Sequence, residues 1–208
     1  MKTPRIVVVD LAMGNLRSAA KGLERQGARV TVSDRPSSLR SADAIVLPGD
    51  GAFAAAMRKI RSDKWLSPLQ GWIGEGRPLF GICLGMQLLF EESLEFGRTK
   101  GLGAFPGRVV PFPRTRRVPH MGWNTIRPAR KSWLTKGLPS PAWMYFVHSF
   151  YPQPSDSGCI AATTDYGMTF CSVAENGAVA GAQFHPEKSQ KAGTVMLRNF
   201  VDLVRRQG

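Results

Sequence analysis

Short apolar runs alternate with longer amphipathic stretches through the first half of the chain. RIVVVD (5–10), ARVTV (28–32), AIVLPG (44–49) and PLFGI (78–82) are rich in Val and Ile. Such runs predict strands buried on both faces. Between them, Asn15 to Gln26, Ala52 to Ser62 and Trp65 to Glu75 have the composition and spacing of helices. Strand and helix in alternation imply a parallel sheet covered on both sides. The texture changes after residue 105. WMYFVHSFY (143–151) and FCSVAENGAVAGAQF (170–184) alternate like antiparallel strands added to the sheet, and Gly193 to Arg205 reads as a closing helix. That helix is expected to turn Val195, Leu197, Phe200, Val201 and Val204 to the core. No repeat or low-complexity linker divides the chain, so residues 1–208 are read as one α/β domain with a central, mostly parallel sheet flanked by helices.

Composition narrows the class. A length of 208 residues, 43% hydrophobic, suits one globular core. No apolar run is long enough to cross a bilayer, and the run that opens the chain meets Asp10 before it can act as a signal-peptide core. Cys83, Cys159 and Cys171 are an odd number without paired spacing, which fits a reducing cytoplasm, and Cys159 and Cys171 are expected in core strands. The three histidines lie far apart without zinc-type spacing, so no metal and no cofactor is expected. The net charge of +13 is uneven: Phe96 to Ser155 holds ten Lys and Arg and no acid. Such a field suits an acidic partner face or a phosphorylated ligand. No RNP, zinc-finger or helix–turn–helix pattern accompanies it, so neither nucleic acid nor membrane is the expected partner.

Chemistry concentrates at GICLGMQLLF (81–90). Reactive groups of open α/β sheets gather at the carboxyl ends of strands, where Cys83 follows PLFGI. Gly81 and Gly85 allow the sharp strand-to-helix turn of a nucleophile elbow, and a helix N-terminus favours thiolate. Alone, the motif also fits a buried core thiol. QFHPEKS (183–189) adds the missing base: His185 and Glu187, two apart in extended chain, face the same way, so the acid can orient the imidazole. LPGDGAF (47–53) offers Gly49 and Gly51 either as an oxyanion loop or as an ordinary turn. His120 and His148 read, by themselves, as ordinary core or surface histidines.

GICLGMQLLF together with QFHPEKS resembles the class I, triad-type glutamine amidotransferases over essentially the whole chain. MGNLRSA (13–19), VPHMGWN (118–124) and YFVHSFY (145–151) are similar to the glutaminase subunits of imidazole glycerol phosphate synthases, enzymes of histidine biosynthesis. The resemblance implies that Cys83 attacks the side-chain amide of L-glutamine, with His185 and Glu187 completing a triad. It implies that Gln87, Ser149 and Phe150 bind glutamine, and that backbone at Asp50, Gly51 and Leu84 forms the oxyanion hole. Ammonia would pass to a separate (β/α)₈-barrel cyclase subunit in a 1:1 heterodimer, with Asn15, His120, Trp123, Asn124, Tyr145 and Lys188 toward that partner. Other amidotransferases, such as anthranilate or aminodeoxychorismate synthase, and a non-catalytic module are the rival readings. Two departures stand out. Relatives commonly carry a small apolar residue at Asp50, whose carboxylate is expected to point away from the site. DLAMGN (10–15) lacks the aromatic and glycine often found after the aspartate.

Overall fold

The computed structural model describes residues 2–207. β1 (Arg5–Val9), β2 (Arg29–Ser33), β3 (Ala44–Gly49) and β4 (Leu79–Cys83) form the parallel half of a nine-stranded sheet, in the order β2-β1-β3-β4. The sheet continues through β13 (Val179–Ala182), β12 (Thr169–Asn176), β11 (Ile160–Asp165), β8 (His120–Pro128) and β9 (Ala142–His148). β13 pairs parallel to β4 and antiparallel to β12, so it is the seam between the two halves.

Side chains alternate across the sheet as strand geometry requires. Ile6 and Val8 pack on one face with Leu23 of α1 (Leu16–Glu24) and with Leu197, Phe200 and Val204 of α5 (Gln190–Gln207). Val7, Val9, Ile45 and Leu47 pack on the other with Met57 and Ile60 of α2 (Phe53–Ser62) and Leu69 of α3 (Leu66–Gly74). Each such fully buried side chain contributes about 1.5–3 kcal/mol through the water it sheds. The unbroken apolar runs of β1, β3 and β4 thus have a cause: both faces are covered.

The sequence expectation holds for these strands and fails at the margins. β2 is an edge strand; Val30 packs against the core, whereas Val32, two residues on and on the same face, is exposed. WMYFVHSFY is not one strand. β9 ends at His148, and β10 (Phe150–Pro154) joins a separate four-stranded sheet in the order β10-β7-β5-β6, with β7 at Phe105–Pro111, β5 at Phe90–Ser93 and β6 at Thr99–Lys100. The chain changes sheets at Ser149. In α5, Val195 is only half-buried, and Met196 and Leu203 supply core contacts instead. Cys159 is buried but lies in a 3₁₀ turn (Ser157–Cys159), whereas Cys171 lies in β12. Among the described residues no helix is long and apolar enough to cross a membrane.

Candidate active site

Three adjacent strands, β3, β4 and β13, end side by side. Gly49 stands opposite Cys83 in the β3–β4 register, and Ala182 stands opposite Ile82 across β4–β13. Their carboxyl ends therefore bring Asp50 and Gly51, Cys83, and His185 to one edge. The cleft there has a volume of about 500 Å³. That is within the usual range for a small-molecule site.

Cys83 closes β4 and precedes the short helix α4 (Leu84–Leu88) with φ 55° and ψ −112°. A non-glycine residue in that region is strained and is held only by its surroundings. The flanking glycines show how. A Cβ at Gly85 would lie 1.6 Å from the Leu47 carbonyl oxygen, and one at Gly81 would lie 2.6 Å from that of Gly85. Only hydrogen fits at either position, so the elbow can pack against β3 with the sulfur turned outward.

His185 Nδ1 donates to Glu187 Oε1 at 2.8 Å, and both side chains are almost fully buried. Nε2 is therefore the ring atom turned to the cleft. It is buried without a hydrogen-bond partner of good geometry. Burial opposes charge on this imidazole, but bonding to Cys83 and to Glu187 outweighs it and raises the pKa from 6.5 to about 10. The contacts that favour the protonated ring fit His185 to take the proton of Cys83 and hand it to a leaving amine.

Asp50 corrects an expectation. Its carboxylate does not point away: Oδ1 lies 3.7 Å from His185 Nε2, within the same small volume as Cys83 Sγ. A protonated imidazole attracts a carboxylate at that distance, which favours this orientation. The first loop supports this turn despite its unusual sequence. A Cβ at Gly14, which has φ +87°, would sit 3.2 Å from the Asp50 amide nitrogen, and one at Gly51 would lie 3.8 Å from the Met13 sulfur.

Gln87, Ser149 and Phe150 line the cleft, as do Leu84 and Gly51. Gln87 Nε2 donates to the Phe150 carbonyl at 2.9 Å and to Gln183 Oε1 at 3.0 Å. Gln183 Nε2 in turn approaches Cys83 Sγ at 3.8 Å. Sequence reasoning missed Gln183, although its spacing of two from His185 places it on the same side of the chain. It also missed Glu95, a buried carboxylate that accepts the Phe53 amide at 2.5 Å and lines the cleft. Nothing in FEESLEFG distinguishes Glu95 from a solvated acid.

The histidines outside the triad form a chain. His148 Nδ1 donates to the Phe150 carbonyl at 2.8 Å, and its Nε2 lies 3.0 Å from His120 Nδ1. Burial pushes their pKa values down to about 3 for His148 and about 4 for His120. Both rings are neutral, which makes His120 the donor to His148 and the Asn124 amide the donor to His120 at 3.2 Å. His120 is therefore buried on the inner face of β8, and Asn124 shares that face, rather than standing on an exposed partner surface.

The outer face differs. Met121, Trp123 and Trp143 are 66%, 46% and 50% exposed, with Tyr145 paired to Trp123 and Val147 to Met121. Val147 also lines the cleft, so this apolar face runs to its mouth. The backbone of β9 reaches inward: the Tyr145 carbonyl accepts the His185 amide at 2.9 Å, and the Val147 carbonyl lies 3.9 Å from Cys83 Sγ. Lys188 is exposed at the cleft rim. Asn15 is exposed too, and its side chain caps α1 by accepting the Ser18 amide.

A cysteine at a strained strand-to-helix turn, with a carboxylate-held histidine on the adjoining strand, is the arrangement of an acyl-transferring α/β enzyme. The chain belongs to the class-I glutamine amidotransferase family, whose sequence pattern matches residues 7–204. It is 47% identical over 205 residues to the imidazole glycerol phosphate synthase subunit HisH of Syntrophotalea carbinolica, covering 95% of this chain and 100% of that one. Over 208 residues it is 45% identical to the same subunit of Natronomonas pharaonis, covering 97% and 95%. Among solved structures, a glutamine amidotransferase superposes with a TM-score of 0.76 at 21% identity, covering 96% of this chain and 98% of the other. PurLQS from Thermotoga maritima superposes with a TM-score of 0.72 at 19% identity, covering 99% of each chain. These two likenesses are of fold.

Proposed function

We propose that this chain is the glutaminase subunit of an imidazole glycerol phosphate synthase, hydrolysing L-glutamine to glutamate and ammonia for a cyclase partner. The observation that carries the reading is the meeting of Cys83, His185 and Glu187 at the ends of β4 and β13, in a chain close to half identical to such subunits. Cys83 Sγ attacks the amide carbon of glutamine as its proton passes to His185 Nε2, and negative charge develops on the carbonyl oxygen. Backbone N–H groups at Gly51 and Leu84 are the candidate donors to that oxygen, each typically contributing a factor of about 10²–10³. The His185 imidazolium gives its Nε2 proton to the departing nitrogen, and ammonia leaves a γ-glutamyl thioester. The neutral ring then takes a proton from water, the hydroxide adds to the thioester, and glutamate is released with the thiol restored.

Gln87 and the Ser149–Phe150 backbone are assigned to the amino-acid end of the substrate. Glu95 supplies negative charge for its α-ammonium group. The neutral His120–His148 pair positions the Phe150 carbonyl and, through it, Gln87. Ammonia in water at neutral pH is mostly unreactive ammonium, which favours direct delivery. The apolar outer face of β8 and β9, at the cleft mouth, is the surface assigned to the cyclase, a (β/α)₈ barrel in a 1:1 complex. Trp123, Tyr145 and Lys188 belong to that assignment; His120 and Asn124 act beneath it.

The test is glutamate release by wild type and Cys83→Ala, each with and without a cyclase subunit carrying its ligand. Activity that rises with the liganded partner and vanishes in Cys83→Ala supports the reading. Cys83-dependent activity indifferent to the partner assigns the chain to another amidotransferase. No activity in any mixture returns it to a non-catalytic role.

A further inference from the structure

Asp50, Cys83 and His185 come from three separate strand ends, yet one ligating atom of each lies within 4.8 Å of the other two. The histidine is 3% exposed, and its Nε2, turned into the cleft, has no well-formed hydrogen bond. We propose that these three side chains form a site for a thiophilic divalent cation of the zinc class, and that the bound cation silences the cysteine.

The donor set decides the class of ion. One thiolate sulfur, one imidazole nitrogen and one carboxylate oxygen suit zinc and its neighbours, whereas calcium and magnesium favour all-oxygen shells. Tetrahedral zinc, with ligands at about 2.0–2.3 Å, sets its donors about 3.3–3.7 Å apart. The Asp50–His185 separation is already 3.7 Å. Glu187 fixes the other ring nitrogen at 2.8 Å, which is how metal-bound histidines are ordinarily oriented. Asp50 is half-exposed at the cleft, which admits the ion and a water as fourth ligand. The cation displaces to solvent the one proton that Sγ and Nε2 hold between them and leaves neither atom free to react. Sequence spacing gives no hint of this set, because positions 50, 83 and 185 meet only through the β3-β4-β13 order.

The binding claim is independent of what the enzyme acts on; only the silencing rests on the glutaminase reading. The full chain, free of thiols and chelators, is titrated with Co²⁺ and then with competing Zn²⁺. Expected are one ion per chain, a near-ultraviolet sulfur-to-cobalt band that Zn²⁺ abolishes, and loss of that band in Cys83→Ser. Asp50→Val, and Asp50→Asn as a second variant, should each weaken Co²⁺ binding at least about tenfold. Absence of the band in wild type, or equal Co²⁺ affinity in both Asp50 variants and wild type, overturns the site. In parallel, glutamate release should fall over the same Zn²⁺ range and return with chelator. Undiminished turnover at saturating Zn²⁺ overturns the silencing. A protein that shows the band but never hydrolyses glutamine keeps the site and loses the glutaminase reading instead.

Discussion

The ends of β3, β4 and β13 and the outer strands β8 and β9 border one cleft but are built on opposite terms. The first region is parallel, covered on both faces and so tightly approached that two glycines admit no Cβ. The second is antiparallel, with one face in the core and the other bearing exposed Met121, Trp123 and Trp143. The candidate chemistry sits where side chains cannot drift, and the face proposed for docking sits where a surface remains to be covered. Substitutions in the first region should change turnover or folding, and those of the exposed side chains on the outer face of the second should change association.

The largest effect is expected from Cys83→Ala, which should lower glutamate release by at least about four orders of magnitude while the chain stays folded. Substantial residual turnover would detach the chemistry from the elbow. Gly85→Ala comes next. With the Leu47 carbonyl 1.6 Å from the new carbon, stability should fall by about 4 kcal/mol or more, read as a collapsed thermal transition. An unchanged transition would mean that the turn can move, contrary to its packing. On the docking side, Trp143→Ala should weaken cyclase binding by about 30-fold, near 2 kcal/mol, and leave basal turnover and folding intact. Calorimetry of the complex separates the two; equal loss of basal turnover would erase the contrast.

Smaller effects sharpen it further. His185, followed by NMR of its labelled ring, should titrate near pH 10 in wild type and lower in Cys83→Ala. The sign follows from linkage: folding raises this pKa, so its stabilisation is complete below about pH 6.5 and is lost as pH rises through about 10. A wild-type midpoint at 6.5 would remove the bonding of Cys83 and Glu187 to this ring. The smallest expected change is in association rate. The ten basic residues between Phe96 and Ser155 are exposed, so raising salt should slow encounter with an acidic cyclase rim by about tenfold. A rate indifferent to salt would leave docking to the apolar face alone.

The first region was largely legible in the sequence because burial on both faces writes itself as runs such as RIVVVD and AIVLPG. Gly81 and Gly85 around Cys83, and the His-Pro-Glu spacing after β13, announced the elbow and its base. The second region was less legible. Strand alternation in WMYFVHSFY is consistent up to His148 and slips at Ser149 and Phe150, both half-buried, where the chain crosses to the other sheet. Pairing of His120 with His148 depends on the β8–β9 register, which no local pattern encodes. The inward turn of Asp50 brings it to a histidine 135 positions away and could not be read from PGDG. Gln183 had a signal in its spacing from His185, whereas Glu95 had none.

β9 has a mechanical consequence. Its outward side chains belong to the face proposed for the cyclase, while its own carbonyls hold the amide of His185 and approach the sulfur of Cys83. Nothing intervenes between the surface that is pushed and the groups that react. A partner that presses on this strand works a lever whose far end is the nucleophile itself.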